Sequence, residues 1–302
     1  MTALRIATRG SALAIAQTEI AIALLRAVEP GLDATYFEVR TEGDADRTTP
    51  LSVLGGRGVF VRAVEEALLD GCADIAVHSL KDVPTQLPDG LVLAAYLERG
   101  DPRDVLVASG GRRLRDLPAG AKVGTSSNRR AALLRALRPD LEVSEIRGNV
   151  DTRLRLVAEG GYDGALLAAA GLERLGRLEA ATQLFDAMEF LPAPGQGAIA
   201  IECRADDAVA LELLARIDHA PTHVASDAER GFLAALGTGC TLPVGAYAQV
   251  DGDLVALRAM IADAASGEPL FGEATGATRE AARVGRELGE RMLAMSNGTN
   301  EA

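Results

Sequence analysis

The stretch Val77-His78-Ser79-Leu80-Lys81-Asp82-Val83-Pro84 ends an apolar run on polar side chains and then on a proline. This pattern predicts a buried strand that stops where charged side chains emerge. In α/β proteins, ligands bind at the carboxyl ends of such strands. Lys81 is unusual here, because the chain has only one other lysine, Lys122. The segment therefore indicates an α/β fold, and if the chain is an enzyme, the first candidate for its catalytic residue is Asp82.

The composition is that of an ordinary globular protein with two or three domains. The chain has 302 residues, of which 48% are hydrophobic, so it can form separate cores. A formal net charge of −12 argues against non-specific nucleic-acid binding, which needs surplus Lys and Arg, but leaves anionic small molecules open. The sequence shows neither a signal-peptide pattern nor a membrane-helix pattern, so we expect a soluble cytoplasmic protein with no membrane association.

Alternating strand and helix patterns divide the chain at two joints. The charged joint 98–104 leads into a second α/β series, and the Pro- and Gly-rich joint 191–197 returns the chain to the first lobe. Two crossovers imply a cleft between two α/β lobes, with hinge bending. The long loop 41–58 has the composition of a lid. The predicted domains are 1–98 with 198–217, 103–191, and a third, smaller domain, 220–302.

Arginines and serines recur at predicted turns that open helices. These residues are Arg9 and Ser11 in the first lobe and Ser127, Arg129, Arg130, Arg147, Arg153 and Arg174 in the second. The exposed amides of a helix start favour anions, and neighbouring arginines strengthen that preference. The alternative is a solvated helix face. The repeated placement at turns favours a ligand with several carboxylates or phosphates, and the motifs of ATP and dinucleotide sites are missing.

Asp82 and His78 each have two interpretations. Asp82 either caps the turn that ends in Pro84 or faces the cleft as an acid or as a stabiliser of cations. In the second case Lys81 pairs with Asp82 or with the substrate. His78 is flanked by apolar residues, which favours a buried, hydrogen-bonded core histidine over a catalytic one.

The three cysteines predict neither a disulfide framework nor a metal site. Cys72 and Cys203 are expected to be small buried hydrophobic residues. Cys240 lies in a Gly-Thr-Gly-Cys-Thr turn, an environment that favours an accessible, ionisable thiol. Its spacing allows covalent attachment of a group. A nucleophilic role would need a base. No histidine is near Cys240 in the sequence, but His219 or His223 could lie near it in the folded chain.

Five motifs follow one another along nearly the whole chain. They are His78-Ser79-Leu80-Lys81-Asp82-Val83-Pro84, Gly124-Thr125-Ser126-Ser127 with Arg129-Arg130, Arg147-Gly148-Asn149-Val150 with Thr152-Arg153, Leu191-Pro192-Ala193 with Gly195-Gln196-Gly197-Ala198, and Gly239-Cys240. Together they closely resemble the hydroxymethylbilane synthase family, also called porphobilinogen deaminase. The resemblance implies two periplasmic-binding-protein-like α/β lobes with a cleft between them, plus a smaller α+β C-terminal domain.

The resemblance also implies an activity. It implies a transferase of tetrapyrrole biosynthesis that condenses four porphobilinogen molecules head to tail, releases ammonia at each step and frees the linear product with water. It implies a dipyrromethane cofactor held by a thioether on Cys240, and it makes Asp82 the catalytic residue that stabilises cationic pyrrole states. The family further implies a monomer.

The remaining matched positions are implied to bind ligand. Those matched to the cofactor, besides Cys240, are Lys81, Asp82, Ser127, Arg129, Arg130 and Arg147, and those matched to the substrate are Arg9, Ser11, Phe60, Arg99, Arg153 and Arg174. Each porphobilinogen carries an acetate and a propionate, so a growing chain accumulates carboxylates that suit several forked cations. Loop 41–58 resembles the family's mobile loop.

Two hypotheses from other classes fit parts of the same pattern. One is a two-lobed binding protein for a polyanionic metabolite, which would share the lobes and the arginines but release no ammonia from porphobilinogen. The other is a cysteine-dependent hydrolase centred on Cys240, which would be inactivated by alkylation of that thiol.

Overall fold

The structure is a computed structural model that describes residues 3–39, 61–237, 243–262 and 267–298. The chain forms two compact units, Met1–Gly100 with Ala198–His223, and Asp101–Gly197 with Val224–Ala302. The elements that position the candidate site residues are, in chain order, β1 (Ala3–Arg9), α1 (Ala12–Val28), β2 (Asp33–Val39), α2 (Arg62–Leu69), β3 (Ile75–Ser79), β4 (Leu91–Tyr96), β5 (Asp104–Ala108), β6 (Lys122–Gly124), α3 (Asn128–Leu137), β7 (Glu142–Ser144), α4 (Val150–Ala158), β8 (Gly164–Ala168), α5 (Ala169–Arg174), β9 (Gln183–Leu184), β10 (Ile199–Arg204), α6 (Ala208–Ala215), α7 (Ala220–Ala235), β11 (Val244–Asp251), β12 (Leu254–Ala262), β13 (Pro269–Ala277) and α8 (Ala281–Gly298).

The first unit, here called the first lobe, is built on a sheet with the strand order β2-β1-β3-β10-β4. Strand β1 is parallel to β2 and β3, whereas β10 is antiparallel to both β3 and β4. Ile6, Ile75 and Ile201 come from adjacent strands and are fully buried with Leu25 of α1. Because β1 and β3 are parallel neighbours, their carboxyl ends meet at the same edge, where α1 and a single 3₁₀ turn, Leu80–Asp82, begin.

The second unit contains a five-stranded sheet with the order β7-β6-β8-β5-β9, here called the second lobe. Strand β6 is parallel to β7 and β8, and β8 is antiparallel to β5. The helices α3, α4 and α5 follow the carboxyl ends of β6, β7 and β8. Three helix starts therefore meet at one edge of this sheet, as the alternation of strands and polar turns predicts.

The same unit also contains an antiparallel sheet, β11-β12-β13, which packs with α7 and α8 around Phe232, Leu257 and Leu288. The two helices approach each other at glycines. A Cβ atom at Gly285 would overlap the carbonyl oxygen of Ala228, so this position requires the absence of a side chain.

The predicted mixed α/β fold with a smaller C-terminal sheet domain is confirmed. Strand β7 ends at Ser144, and beyond it the carbonyl of Ile146 accepts a hydrogen bond from the Ser126 hydroxyl. The loop 41–58 and Phe60 lie outside the described residues. None of the helices in the described ranges combines the length and the hydropathy needed to cross a membrane.

Candidate functional site

A small pocket lies at the carboxyl ends of β1 and β3 in the first lobe. Its lining includes Arg9, Ser11, Gln17, Ser79 and Asp82. The side chain of Ser11 accepts a hydrogen bond from the backbone N–H of Ala14 and caps α1, as its sequence position predicts. The sheet register thus brings together two segments, at 9–11 and 79–82, that the sequence separates by about seventy residues. We call this site the Asp82 pocket.

The turn that carries Asp82 is held by hydrogen bonds on both sides. The Leu80 N–H donates to the Ala198 carbonyl at 3.1 Å, and the Val83 N–H donates to the Leu80 carbonyl at 3.0 Å. Ser79 and Gln17 are joined by a side-chain hydrogen bond, with O–N and O–O separations of 2.9 and 3.0 Å. These contacts hold the backbone of the turn from which the Asp82 side chain extends.

The half-buried carboxylate of Asp82 is available to a ligand. Among the described residues, none donates a hydrogen bond to its oxygens, and the 3₁₀ turn has no side-chain cap. The interpretation of Asp82 as the cap of its own turn therefore has no support in the structure. A fixed carboxylate facing a pocket is suited to stabilising positive charge.

In the second lobe, Arg129 and Arg130 are buried around Asp104. Arg129 Nη1 donates to Asp104 Oδ2 at 2.5 Å and to the Leu191 carbonyl at 2.6 Å. Arg130 donates to Asp104 Oδ1 from Nε at 3.0 Å and from Nη2 at 2.6 Å. Gln196 Nε2 adds a hydrogen bond of 2.9 Å to the same oxygen. We call these four residues the Asp104 cluster.

The Asp104 cluster carries a net positive charge. Burial alone would raise the pKa of Asp104, but the charges of Arg129 and Arg130 outweigh it and hold the pKa well below its usual range. Asp104 is therefore ionised, and two guanidiniums surround one carboxylate. The surplus unit charge lies where the three helix starts meet, beside Ser127, which caps α3 by accepting from the Arg130 N–H.

Within the part of the chain that the structure describes, the cations Arg153 and Arg174 form hydrogen bonds to main-chain carbonyls and to no side chain. Arg153 Nε donates to Gly148 at 2.8 Å, and Arg174 Nη2 donates to Gly197 at 2.6 Å. Within the described ranges neither guanidinium has a carboxylate within 4.0 Å. Burial, and secondly the like charge of Arg130, lower the pKa of Arg153 to about 10; burial also lowers the pKa of Arg174. An anionic ligand would relieve this unfavourable charge.

The structure gives fewer contacts for the other predicted site residues. The Nε atom of Arg147 donates to Glu145 Oε1 at 2.7 Å. Lys81 and Arg99 are half-buried, and the backbone N–H of Arg99 donates to the Thr222 hydroxyl at 3.1 Å. Cys240, like Phe60, lies outside the described residues. The described residues contain no group of three or more potential metal ligands.

The other cysteines differ in their surroundings. Cys203 in β10 is buried as predicted, and burial raises the pKa of its thiol to about 11. The prediction that Cys72 is buried is wrong, because Cys72 is exposed. It follows Gly71, whose φ of 68° belongs to the turn that leads away from α2. The residue type indicates burial, but the turn places the side chain in solvent.

The predicted buried histidine is confirmed. His78 is 5% exposed, and its Nε2 lies 3.0 Å from Oε2 of Glu202, which is fully buried in β10. His219 and His223 form local contacts, with Thr222 Oγ1 and Asp218 Oδ2 respectively, both at 2.8 Å. Sequence reasoning missed Glu202, as it missed Asp104. Glu202 is an isolated acid within an apolar strand, a signal that indicates a buried ionic partner, whereas Asp104 directly follows a charged joint and gives no such signal.

Comparison with known proteins identifies relatives over nearly the whole chain. The family model described as porphobilinogen deaminase, dipyromethane cofactor binding domain, matches residues 4–212, and the model of the porphobilinogen deaminase C-terminal domain matches residues 224–294. A porphobilinogen deaminase of Syntrophobacter fumaroxidans is 48% identical over 96% of this chain and 94% of its own length. A porphobilinogen deaminase of Xanthomonas oryzae pv. oryzae is 47% identical over 96% of this chain and 95% of its own.

Among solved structures, the methionine-binding protein MetQ aligns with a TM-score of 0.45 at 14% identity, over 78% of this chain and 94% of that one. A YaeC-family lipoprotein from Enterococcus faecalis aligns with a TM-score of 0.44 at 16% identity, over 72% of this chain and 91% of that one.

Proposed function

The chain belongs to the porphobilinogen deaminase family and is a hydroxymethylbilane synthase, and we propose that Asp82 is its catalytic carboxylate and Cys240 the residue that holds its cofactor. The enzyme joins four porphobilinogen molecules head to tail with loss of ammonia and releases the linear tetrapyrrole with water. Its cofactor is dipyrromethane. Family membership decides against the binding protein and the cysteine-dependent hydrolase, the two alternatives that the sequence leaves open.

The residues of the second lobe suit the chemistry of this cofactor. Dipyrromethane carries carboxylates, and Arg153 and Arg174 are half-buried cations bonded to main-chain carbonyls. A carboxylate bound to either guanidinium would gain charge-assisted hydrogen bonds and offset the cost of its burial. When bound, the cofactor supplies the pyrrole carbon to which the first substrate unit is joined.

The catalytic role that we propose for Asp82 is based on its position in the Asp82 pocket. Loss of ammonia from porphobilinogen breaks a C–N bond, the electron pair leaves with the nitrogen, and positive charge spreads over the pyrrole ring. A carboxylate held by a rigid turn stabilises that charge without reorganising. The observation that carries this role is that Asp82 lines the pocket while no described residue donates a hydrogen bond to it.

Arginines around the two sheet edges are proposed to bind the acetate and propionate groups. Arg129 and Arg130 act through the net positive charge of the Asp104 cluster, because those of their donors whose partners the structure describes are directed at Asp104 and at main-chain carbonyls. The other residues that we propose to contact the cofactor or the substrate are Arg9, Ser11, Phe60, Lys81, Arg99, Ser127, Arg147, Arg153 and Arg174.

We further propose that the enzyme is a cytoplasmic monomer of three domains, 1–98 with 198–217, 103–191, and 220–302. The third has its own antiparallel sheet and its own core, which supports its separation. Light scattering of the purified protein at several concentrations tests the monomer: a constant mass of one chain is expected, and a mass of two chains would contradict it.

The intact mass of the purified protein tests the attachment site. We expect an excess equal to two linked pyrrole units in the wild type and in Cys72→Ser, and no excess in Cys240→Ser. Persistence of the excess in Cys240→Ser would disprove attachment at this cysteine. If the wild type carries no excess, the same comparison is made after incubation with porphobilinogen.

A further inference from the structure

Three ionisable side chains are buried together behind the Asp82 pocket. Ala76 and His78 of β3 pair with Glu202 and Ala200 of β10, so these side chains share one face of the sheet. Helix α2 packs on the same face, through contacts of Val64 and Leu68 with Ala76. Glu65 of this helix is 7% exposed, His78 is 5% exposed, and Glu202 is fully buried.

These three groups are only partly satisfied by one another. The one hydrogen bond among them joins His78 Nε2 and Glu202 Oε2 at 3.0 Å. The Oε1 atoms of Glu65 and of Glu202 are buried, and each lacks a hydrogen-bond partner among the described residues. Buried carboxyl oxygens without donors are rare, because an unpaired ionised oxygen is costly in an apolar interior. A bound proton removes that cost.

Burial of Glu65 and the charges around it favour its protonated form. Burial is the largest cause that raises its pKa to about 7, and the charge of Glu202 raises it further, whereas His78 and Arg62 lower it. Exposed Glu66 on the same helix has a smaller effect. The remaining charged residues of this face are directed elsewhere. Arg5 of β1 pairs with Asp74, Arg204 of β10 donates to Leu68 and Ala73 carbonyls and to Asp207, and Arg9 of β1 lines the pocket.

The group is linked to the pocket through His78. This residue lines the Asp82 pocket on one side and contacts Glu202 on the other. The residue after it, Ser79, bonds to Gln17, and Asp82 follows in the same turn. A change of charge at Glu65 therefore changes the potential behind the pocket in which Asp82 acts.

We propose that Glu65, His78 and Glu202 form a buried proton-holding cluster that positions the turn of Asp82 and sets how strongly its pocket stabilises positive charge. The proposal rests on the role proposed above for Asp82. When Glu65 gives up its proton, the cluster gains one negative charge close to the pocket. That charge favours the cationic ring formed as ammonia leaves, so turnover rises with pH through this ionisation.

The test is the pH profile of kcat for ammonia release by the holoenzyme. In the wild type we expect kcat to rise on the order of three- to tenfold between pH 6 and pH 8, as a unit charge at short range would produce. Glu65→Gln should remove this rise and keep the lower rate, whereas Glu66→Gln should behave as the wild type. An unchanged rise in Glu65→Gln would overturn the proposal.

Two further measurements separate coupling from a merely structural effect. Glu202→Gln removes a negative neighbour and should move the midpoint of the rise to lower pH; an unmoved midpoint overturns the proposal even if Glu65→Gln fails to fold. The thermal midpoint gives a readout that does not involve Asp82. Glu65 has a raised pKa in the native state, so its burial costs stability as pH rises from about 4.5 to 7. The advantage of Glu65→Gln should therefore grow between pH 5 and pH 8.

Discussion

Arg129 and Asp104 form a buried ion pair, with Nη1 and Oδ2 separated by 2.5 Å and both side chains at most 5% exposed. The residues are 25 positions apart, and the sheet brings Asp104 of β5 next to the end of β8 and the start of α3. Arg130 completes the arrangement from the other carboxylate oxygen. One carboxylate thus holds two buried guanidiniums in the second lobe, at the edge that we propose binds the ligand.

Asp104→Asn should strongly destabilise the protein. The substitution removes the carboxylate that accepts hydrogen bonds from both buried guanidiniums, and loss of one partner from a buried pair costs about 3–5 kcal/mol. Urea denaturation at pH 7 measures this loss in the free energy of unfolding. Asp116→Asn is the matched control, because its pair with Arg115 is exposed and should contribute less than about 1 kcal/mol. Equal stability of the two variants would show that the Asp104 cluster is not a stability determinant.

The low pKa of Asp104 predicts that the stability of the protein depends on pH in the acidic range. The pKa of Asp104 is lowered in the native state, so its contribution is complete above the unfolded-state value of about 4 and is lost as pH falls below it. The stability difference between the wild type and Asp104→Asn should be constant from pH 5 to pH 7. It should shrink progressively below about pH 4, which denaturation at a series of pH values measures.

Asp82→Asn should preserve folding and the covalent cofactor while it abolishes most turnover. The amide keeps the size of the side chain but loses the negative charge, so we expect a fall in kcat of at least about a hundredfold. Ammonia release measures turnover, and intact mass measures the cofactor. Turnover within a few-fold of the wild type would remove the role assigned to Asp82.

Arg153→Gln should weaken binding of the carboxylate-bearing ligand. Loss of a charge-assisted hydrogen bond costs about 1.5–3 kcal/mol, or roughly ten- to a hundredfold in kcat/KM. The control is Arg155→Gln on the same helix, where the guanidinium is exposed and pairs with Glu159 at 2.8 Å. If both substitutions change kcat/KM equally, the change comes from the lower net charge of the helix, and Arg153 does not bind the ligand.

Thiol labelling should distinguish the cysteines. Cys72 is exposed, whereas burial raises the pKa of Cys203 to about 11, so a maleimide should modify only Cys72 of these two in the native protein. With Cys240 held in a thioether, native Cys72→Ser should incorporate no label, and the unfolded variant should incorporate one. Incorporation by the native variant would indicate an open Cys240 or an accessible Cys203.

Local patterns predict the elements and the Asp82 pocket well. Ser11 lies before an apolar periodic segment and does cap α1, and the apolar run before Ser79 does end at a pocket. Such features depend on neighbours in sequence, which the printed chain shows directly. Parallel pairing of β1 with β3 then brings Arg9 and Asp82 to the same pocket, and adjacency of these strands follows from the α/β pattern.

Long-range ion pairs could not be predicted in the same way. Asp104 lies in a charged segment that has the composition of a solvated joint, and its partners on α3 become apparent only in the folded sheet. In the helical pattern of α2, Glu65 looks like an ordinary exposed polar residue. In the structure it is buried beside the strand that carries Glu202. Burial of Asp104 and of Glu65 is set by the packing of other elements, so the sequence around these two acids does not reveal it.

Strand β10 lies between β3 and β4, although its residues come after the whole second lobe in the chain. When the nascent chain has been translated only as far as the joint 98–104, β10 does not yet exist. The edges of β3 and β4 that later pair with β10 then have no partner. The sheet is completed only when residue 204 of 302 has left the ribosome. The lobe made first is thus finished late, and the turn that carries Asp82 is fixed only after about two thirds of the chain has been synthesised, because Leu80 bonds to Ala198.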